Sequence, residues 1–198
     1  FSVEMSLIEQ YALARNMIMK TVDNFLPYAD KIILAGIPGN HGEMSRSSKG
    51  QVFTNRLDNS DTMHLEICNE IMQANPERYK KVKVEIPEGF HQVLEIKGKK
   101  VAWTHGHMTG NSGSNPEVKI ENWWKGQMYS FLPSGSSEIL ITGHYHHFRA
   151  KYQGDRAWFQ APSLDRSIDF TERTGLWSHP AVLSFTINEK GWDNLKLL

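Results

Sequence analysis

Residues 31–43 read KIILAGIPGNHGE. The first six form a short, nearly continuous apolar run, the pattern of a strand buried on both faces. At Pro38 the character changes, and a polar stretch rich in Gly, Ser and Asn continues to Ser60, too long to serve as a mere connector. The same transition occurs twice more. Residues 92–97 and 100–104 flank Gly98-Lys99 as a hairpin, and the second strand runs directly into THGH at 104–107. Residues 138–142, EILIT, form another buried strand, which empties into GHYHH at 143–147. Where helices cover a sheet, functional groups collect beyond the carboxyl ends of its strands, so loops roughly a hundred residues apart in the chain can serve one place. Glycines beside each histidine let the backbone turn sharply and leave room for an ion or a substrate.

Working outward, Leu7, Tyr11, Ala14, Ile18, Val22 and Phe25 recur at spacings of three and four after Ser6 and predict an amphipathic helix ending near Pro27. Asp61 stands where an N-cap would, before a helix to about Gln73 that carries Met63, Ile67 and Ile71 on one side. Val82, Val84 and Ile86 alternate as in a strand. After a second polar loop, Asn115-Pro116 predicts a cap and a first-turn proline, opening a helix through Ile120, Trp123, Trp124 and Phe131. Residues 149–153 and 156–160 pair across Gly154-Asp155, and 181–187 pair with 192–197 across Glu189-Lys190-Gly191. Mixed strands and helices with late hairpins predict a layered α/β sandwich rather than a pure doubly wound sheet. At 198 residues, one domain spanning 1–198 is expected.

Lys plus Arg and Asp plus Glu both number 22, so no global field draws the protein to nucleic acid, and any such binding must use a local basic surface. The longest apolar runs fall far short of the roughly 20 residues that span a bilayer, and no signal-peptide pattern opens the chain, so a soluble intracellular protein is expected. The lone Cys68 excludes an intramolecular disulfide and a Cys-rich zinc module, in agreement with a reducing compartment. Of the nine histidines, six fall in the three strand-end motifs: His41, His105, His107, His144, His146 and His147. Neutral imidazole is the commonest transition-metal ligand, and the carboxamide oxygen of Asn40 is a workable hard co-ligand for Mn, Fe or Zn. His144 and His146, two apart, would share a face of a strict strand, while in a tight loop they could serve two adjacent ions.

GNH with Gly-Glu, then HGH, then GHxH, in this order and at strand ends, resembles the calcineurin-like metallophosphoesterase superfamily over residues 31 to about 160. Within it, PGNHGE with Ser45-Arg46 and the Trp-rich C-terminal half are similar to phage-encoded, SbcD-like DNA repair exonucleases. The resemblance implies a layered α-β-β-α sandwich that here lacks its first strand or strands. It implies two divalent metal ions, Mn2+ first among Fe, Zn, Mg and Ni, with Asn40, His105 and His144 on the second ion and His146 on the first. It implies that His41 is not a ligand but faces the substrate and protonates the leaving oxygen or steadies the charged phosphate. Two cations about 3.5 to 4 Å apart can hold a bridging hydroxide for in-line attack on phosphorus. An imidazole with an ordinary pKa near 6.5 is a suitable acid for the departing alkoxide.

The superfamily also uses an upstream Asp-x-His and a Gly-Asp-x-x-Asp, and neither occurs before Lys31. Asp23 and Asp30 do not fit those patterns, and Gly154-Asp155 reads as a hairpin turn. The chain begins at Phe1 without Met, so the expectation is the C-terminal portion of a longer phosphoesterase, with a missing N-terminal segment as its first partner. Further partners implied are DNA or another phosphodiester and an SbcC-like ATPase, with no membrane, in the cytoplasm of a bacterium or a phage-infected bacterium. Arg46, His107 and His147 are candidate substrate contacts, although His107 and His147 could equally support the ligands through hydrogen bonds. His64, His91 and His179 read as ordinary surface residues. Trp123, Trp124, Tyr129 and Phe131 could stack on bases, but their helical spacing favours core packing. The lysines at 80, 81 and 83 and at 97, 99 and 100 read as solvated charges. The leading function is metal-dependent phosphodiester hydrolysis of DNA. A phosphatase or phosphodiesterase for small nucleotides shares every ligand, and a non-catalytic assembly module agrees with the missing aspartates.

Overall fold

Ser6 starts the first helix, α1 (Leu7–Phe25), with a reciprocal cap: its side chain accepts the Glu9 N–H, and the Glu9 carboxylate accepts the Ser6 N–H at 2.8 Å. The computed structural model describes residues 4–44, 58–109, 115–165, 171–172, 175 and 177–198. The chain divides into two compact units, Phe1–Gly89 and Phe90–Leu198.

In the first unit, β1 (Ile32–Ala35) and β2 (Val82–Glu85) pair in parallel with Ile32 opposite Val82. Between them in the chain lie α2 (Ser60–Gln73) and the single turn α3 (Pro76–Tyr79). The core gathers Val22 of α1, Cys68 and Met72 of α2 and Tyr79, with Ile32, Leu34, Val82 and Val84 of the strands packed against it. Burial pushes the Cys68 thiol pKa up, so the one cysteine is an inert core residue.

In the second unit, five strands lie in the order β3-β4-β5-β7-β6. They are β3 (His91–Ile96), β4 (Lys99–Thr104), β5 (Ile139–Thr142), β6 (Arg149–Gln153) and β7 (Arg156–Gln160). The inner three run parallel, and the two edges are antiparallel hairpin partners. Period-two alternation divides each inner strand between two layers. Ala102, Leu140 and Trp158 pack with Ile120 of α4 (Pro116–Tyr129), while Val101, Ile139, Ala157 and Phe159 meet the hairpin β8 (Leu183–Asn188) and β9 (Gly191–Leu197). Fully buried side chains such as Ile120, Leu140 and Phe159 each contribute about 1.5–3 kcal/mol of transfer free energy. The chain is thus mixed α/β with a central mixed sheet, as its sequence predicts.

Several local expectations shift. The N-cap of α2 is Asn59, whose Oδ1 accepts the Asp61 N–H at 2.9 Å, and Asp61 falls in the first turn. The buried stripe of α2 is Leu65, Cys68 and Met72, not Met63, Ile67 and Ile71, which are half-buried. Strand β1 is not covered on both faces within its unit, because Ile33 is 37% exposed. The β3–β4 turn is Lys97-Gly98, both at positive φ, rather than Gly98-Lys99, because the mirror-image type I turn requires that conformation at both central positions. Helix α4 ends at Tyr129, leaving Phe131 beyond it and 96% exposed.

His64 is a buried residue of α2 rather than a surface one, set edge-on to Tyr11 with ring centres 5.2 Å apart. Among the described residues its Nδ1 has no hydrogen-bond partner. Burial lowers its pKa, against the raising effect of Asp61 and with a smaller lowering effect from Arg15. Burial also lowers the pKa of His91. Below the ordinary value near 6.5 the unfolded chain takes up protons that the folded chain still refuses. Stability is therefore expected to fall as pH drops through 6.5 and to level off once the folded histidines protonate. Thermal melts from about pH 7.5 to about pH 5 should show this slope, and His64→Gln with His91→Gln should flatten it. An unchanged slope in the double variant would refute the assignment.

Candidate functional site

Two parallel strands place the central pair of histidines. β4 and β5 are neighbours with Thr104 opposite Thr142, and the ladder continues one step further as the Gly143 N–H donates to the His105 carbonyl at 3.1 Å. His105 and His144 therefore leave adjoining strand ends together, with ring centres 5.1 Å apart. His107 completes a triangle at 5.2 Å from His105 and 6.1 Å from His144. Its ring also stands edge-on to Phe90 at 5.7 Å.

The loops are held in unusual conformations. His144 and His146 have φ of 67° and 61°, the left-handed region that costs a non-glycine residue about 1 kcal/mol or more each. The Tyr145 N–H donates to the Gly143 carbonyl at 2.8 Å, the bond of a tight three-residue turn centred on His144. Gly106 has φ of 105°, outside the range of ordinary side chains, and an added Cβ there would sit 3.6 Å from the His144 Cβ. Surrounding bonds keep this strain in place. The Thr109 hydroxyl donates to the Gly106 carbonyl at 2.7 Å and shares a hydrogen bond with Tyr145, whose phenol pKa burial raises. His147 Nδ1 donates to the Tyr145 carbonyl at 2.7 Å, which fixes its tautomer and turns Nε2 toward Arg149 at 3.5 Å. The His147 carbonyl accepts from Gln160 Nε2 at 2.8 Å. His147 thus helps hold its own loop, and His146 is half-buried there with its carbonyl accepting the Ser163 N–H at 3.4 Å.

In the first unit, the loop after β1 is clasped by the start of α2. Asn59, 1% exposed, donates from Nδ2 to the Gly39 carbonyl at 2.7 Å, and the Asp61 carboxylate accepts the Gly39 N–H at 2.8 Å. The Ser60 N–H donates to the Gly42 carbonyl at 2.7 Å. A Cβ on Gly42 would lie 2.1 Å from Asn59 Oδ1, so only glycine fits. This clasp presents Asn40 half-buried and His41 exposed. Arg46 lies outside the described residues.

The structure therefore brings together His105, His107 and His144, with His146 and His147 in the adjoining loop, while Asn40 and His41 belong to the other unit. Sequence reasoning missed the supports Asn59, Thr109, Tyr145 and Phe90. Asn59 alone carried a signal, an N-capping residue directly before a helix start. His91 is half-buried with its ring 5.8 Å from Trp123, rather than on the surface, whereas His179 is exposed as expected. Two imidazoles sharing one ion have ring centres about 5 Å apart, given metal to nitrogen bonds near 2 Å. His105 meets that spacing with both neighbours. Yet among the described residues no three His, Cys, Asp or Glu side chains form a group that could hold a metal ion. The donor set is a partial one and does not fit the two-ion centre implied by the resemblance.

No protein-family model matches the chain, and no curated protein matches it. Solved structures do. A novel archaeal phosphodiesterase matches over 91% of this chain and 74% of its own, at 16% identity and a TM-score of 0.42. A predicted phosphoesterase from Streptococcus pneumoniae TIGR4 matches over 86% and 74%, at 12% identity and a TM-score of 0.41. A single mutant of Vps29 from Entamoeba histolytica matches over 85% and 97%, at 15% identity and a TM-score of 0.40. These values are too low to assign the chain to a family.

The clasp generates a double-mutant test. Asn59→Ala should cost about 2–4 kcal/mol, for a lost cap and a severed buried hydrogen bond. Gly42→Ala should cost about 1–3 kcal/mol in the native background and less beside Asn59→Ala, because the nearer of two clashing oxygens is then gone and only the Asp61 carboxylate, 2.7 Å from the added Cβ, still has to give. Denaturant midpoints of the four chains measure the coupling. Strict additivity would show that the close approach is not the constraint on Gly42.

Proposed function

We propose that this chain contributes to metal-dependent phosphodiester hydrolysis, with DNA as the substrate suggested by the narrower resemblance to SbcD-like exonucleases. What supports the reading is one observation: His105 and His144 stand 5.1 Å apart at the carboxyl ends of adjoining parallel strands, inside the two motifs that carry the resemblance. In this reading Asn40, His105, His144 and His146 offer neutral donors to divalent ions, Mn2+ first. Such ions, held there together with the missing carboxylates, would supply charge neutralisation and an activated water. The chain's own part is to orient. The strained turn aims the His144 ring beside His105, and Thr109 and Tyr145 hold the two loops in that relation. His41, exposed on its clasped loop, is free of packing and suited to hand a proton to a leaving oxygen. Arg46, His107 and His147 are proposed substrate contacts, and an SbcC-like ATPase is the proposed macromolecular partner.

The carboxylates of the Asp-x-His and Gly-Asp-x-x-Asp motifs are not among these 198 residues. The chain by itself is therefore expected to hold at most one divalent ion weakly and to turn over little, since anionic ligands balance the metal charge. Metal content after dialysis against Mn2+, together with hydrolysis of bis-p-nitrophenyl phosphate, measures both. His105→Ala and His144→Ala should each abolish the residual binding. Joining the chain to a segment that carries both aspartate motifs should restore Mn2+-dependent turnover, and there His41→Ala should lower turnover about a hundredfold or more with metal content unchanged. Two tightly held ions on the lone chain would overturn the ligand assignment. No turnover by the joined protein would favour the assembly-module reading.

A further inference from the structure

The α4 side of the second unit carries a cavity that the histidine loops do not line. It encloses about 320 Å3, near the lower end of the range for small-ligand sites. The floor is apolar and aromatic, formed by Trp124 and Met128 of α4 above the buried side chains of Ile120 and Trp158. The rim is basic: Lys125, Lys151 and Arg156 stand against one carboxylate, Glu121. In a chain of net charge zero, this is a local concentration of positive charge.

The three cations differ in what they can still do. Lys151 is committed, since its ammonium bonds to Glu121 and lies 3.8 Å from Glu117, contacts that raise its pKa and neutralise the Glu121 carboxylate of the rim. Arg156 lays its guanidinium over the Trp124 ring at 5.4 Å and donates to the Gly135 carbonyl at 3.1 Å. A guanidinium carries five N–H donors in a planar fork, so that bond leaves Arg156 able to grip an anion from its place over the indole. Lys125 is exposed beside them. An aromatic floor is best filled by a flat ring, two available cations call for an anion, and the volume admits one of each rather than a long chain. An acidic peptide would answer the charges and leave the tryptophan floor unfilled.

We propose that this cavity binds a planar aromatic anion of nucleotide size, typified by a nucleoside monophosphate, with its base against Trp124 and Met128 and its phosphate held by Lys125 and Arg156. The site stands apart from the histidine loops and does not rest on the hydrolase reading.

Adenosine monophosphate, adenosine and inorganic phosphate should be titrated into the chain, with tryptophan fluorescence and backbone amide shifts as readouts. The monophosphate should bind most tightly and lose affinity as salt rises, with amide shifts centred on residues 120–128 and 151–158. Lys125→Glu, at an exposed position that should leave folding intact, and Arg156→Gln should each weaken it about fivefold, the scale of one partly exposed ion pair. Equal affinity in both variants would overturn the proposal. So would shifts centred on residues 105–107 and 143–147, which would put the nucleotide on the histidine loops, or the absence of binding up to about 10 mM.

Discussion

The parallel pairing of β4 with β5 is the interaction on which the candidate site depends. Matching Thr104 to Thr142 fixes where each strand stops, and a slip of one residue would turn every side chain of one strand to the other layer. Alternating burial guards that register: Ala102 and Leu140 must face Ile120 while Val101 and Ile139 face the β8–β9 hairpin. The packing energy of two layers thereby holds two histidine loops side by side. The loops themselves contribute strain rather than stability, and the sheet supplies the difference.

The strand-end loops of the two units are held by different means. In the second unit, backbone hydrogen bonds across strand ends do most of the positioning, and side chains such as Thr109 and Gln160 lock what remains. In the first unit the loop after β1 is clasped by Asn59, Ser60 and Asp61 at the start of α2, and the buried amide of Asn59 caps the helix and grips Gly39 in the same act. A residue with that double duty couples the helix start to the loop conformation. Neither could rearrange alone.

Much of this was legible along the chain, and the parts that were not share a cause. The hairpin Arg149–Gln153 with Arg156–Gln160 and the Asn115-Pro116 start of α4 rest on local rules, and the structure has them where the sequence puts them. The inward face of α2 depends on what it packs against, and Met63, Ile67 and Ile71 are as apolar as the stripe that won. His64 looked solitary because its partner in the ring contact, Tyr11, comes from another helix. Trp123 and Trp124 pack on the sheet core as their spacing suggested, whereas Tyr129 is 77% exposed at the end of the same helix, where spacing no longer governs burial. For the candidate site, type and order of residues carried the signal, while the supporting contacts of Tyr145 and Thr109 had none.

One further consequence lies at the outer margin of the sheet. Strand β6 is an edge, and an edge offers unpaired backbone groups to any passing chain. Here Arg149 and Lys151 reach from it to Glu117 and Glu121 of α4, while Tyr152 stands edge-on to Trp192 at 6.1 Å. Both faces of the strand are thus tied to their layers, and charged side chains recur along it. Each exposed ion pair adds little to stability. Together they keep the strand from presenting the flat, apolar border along which sheets of separate molecules join.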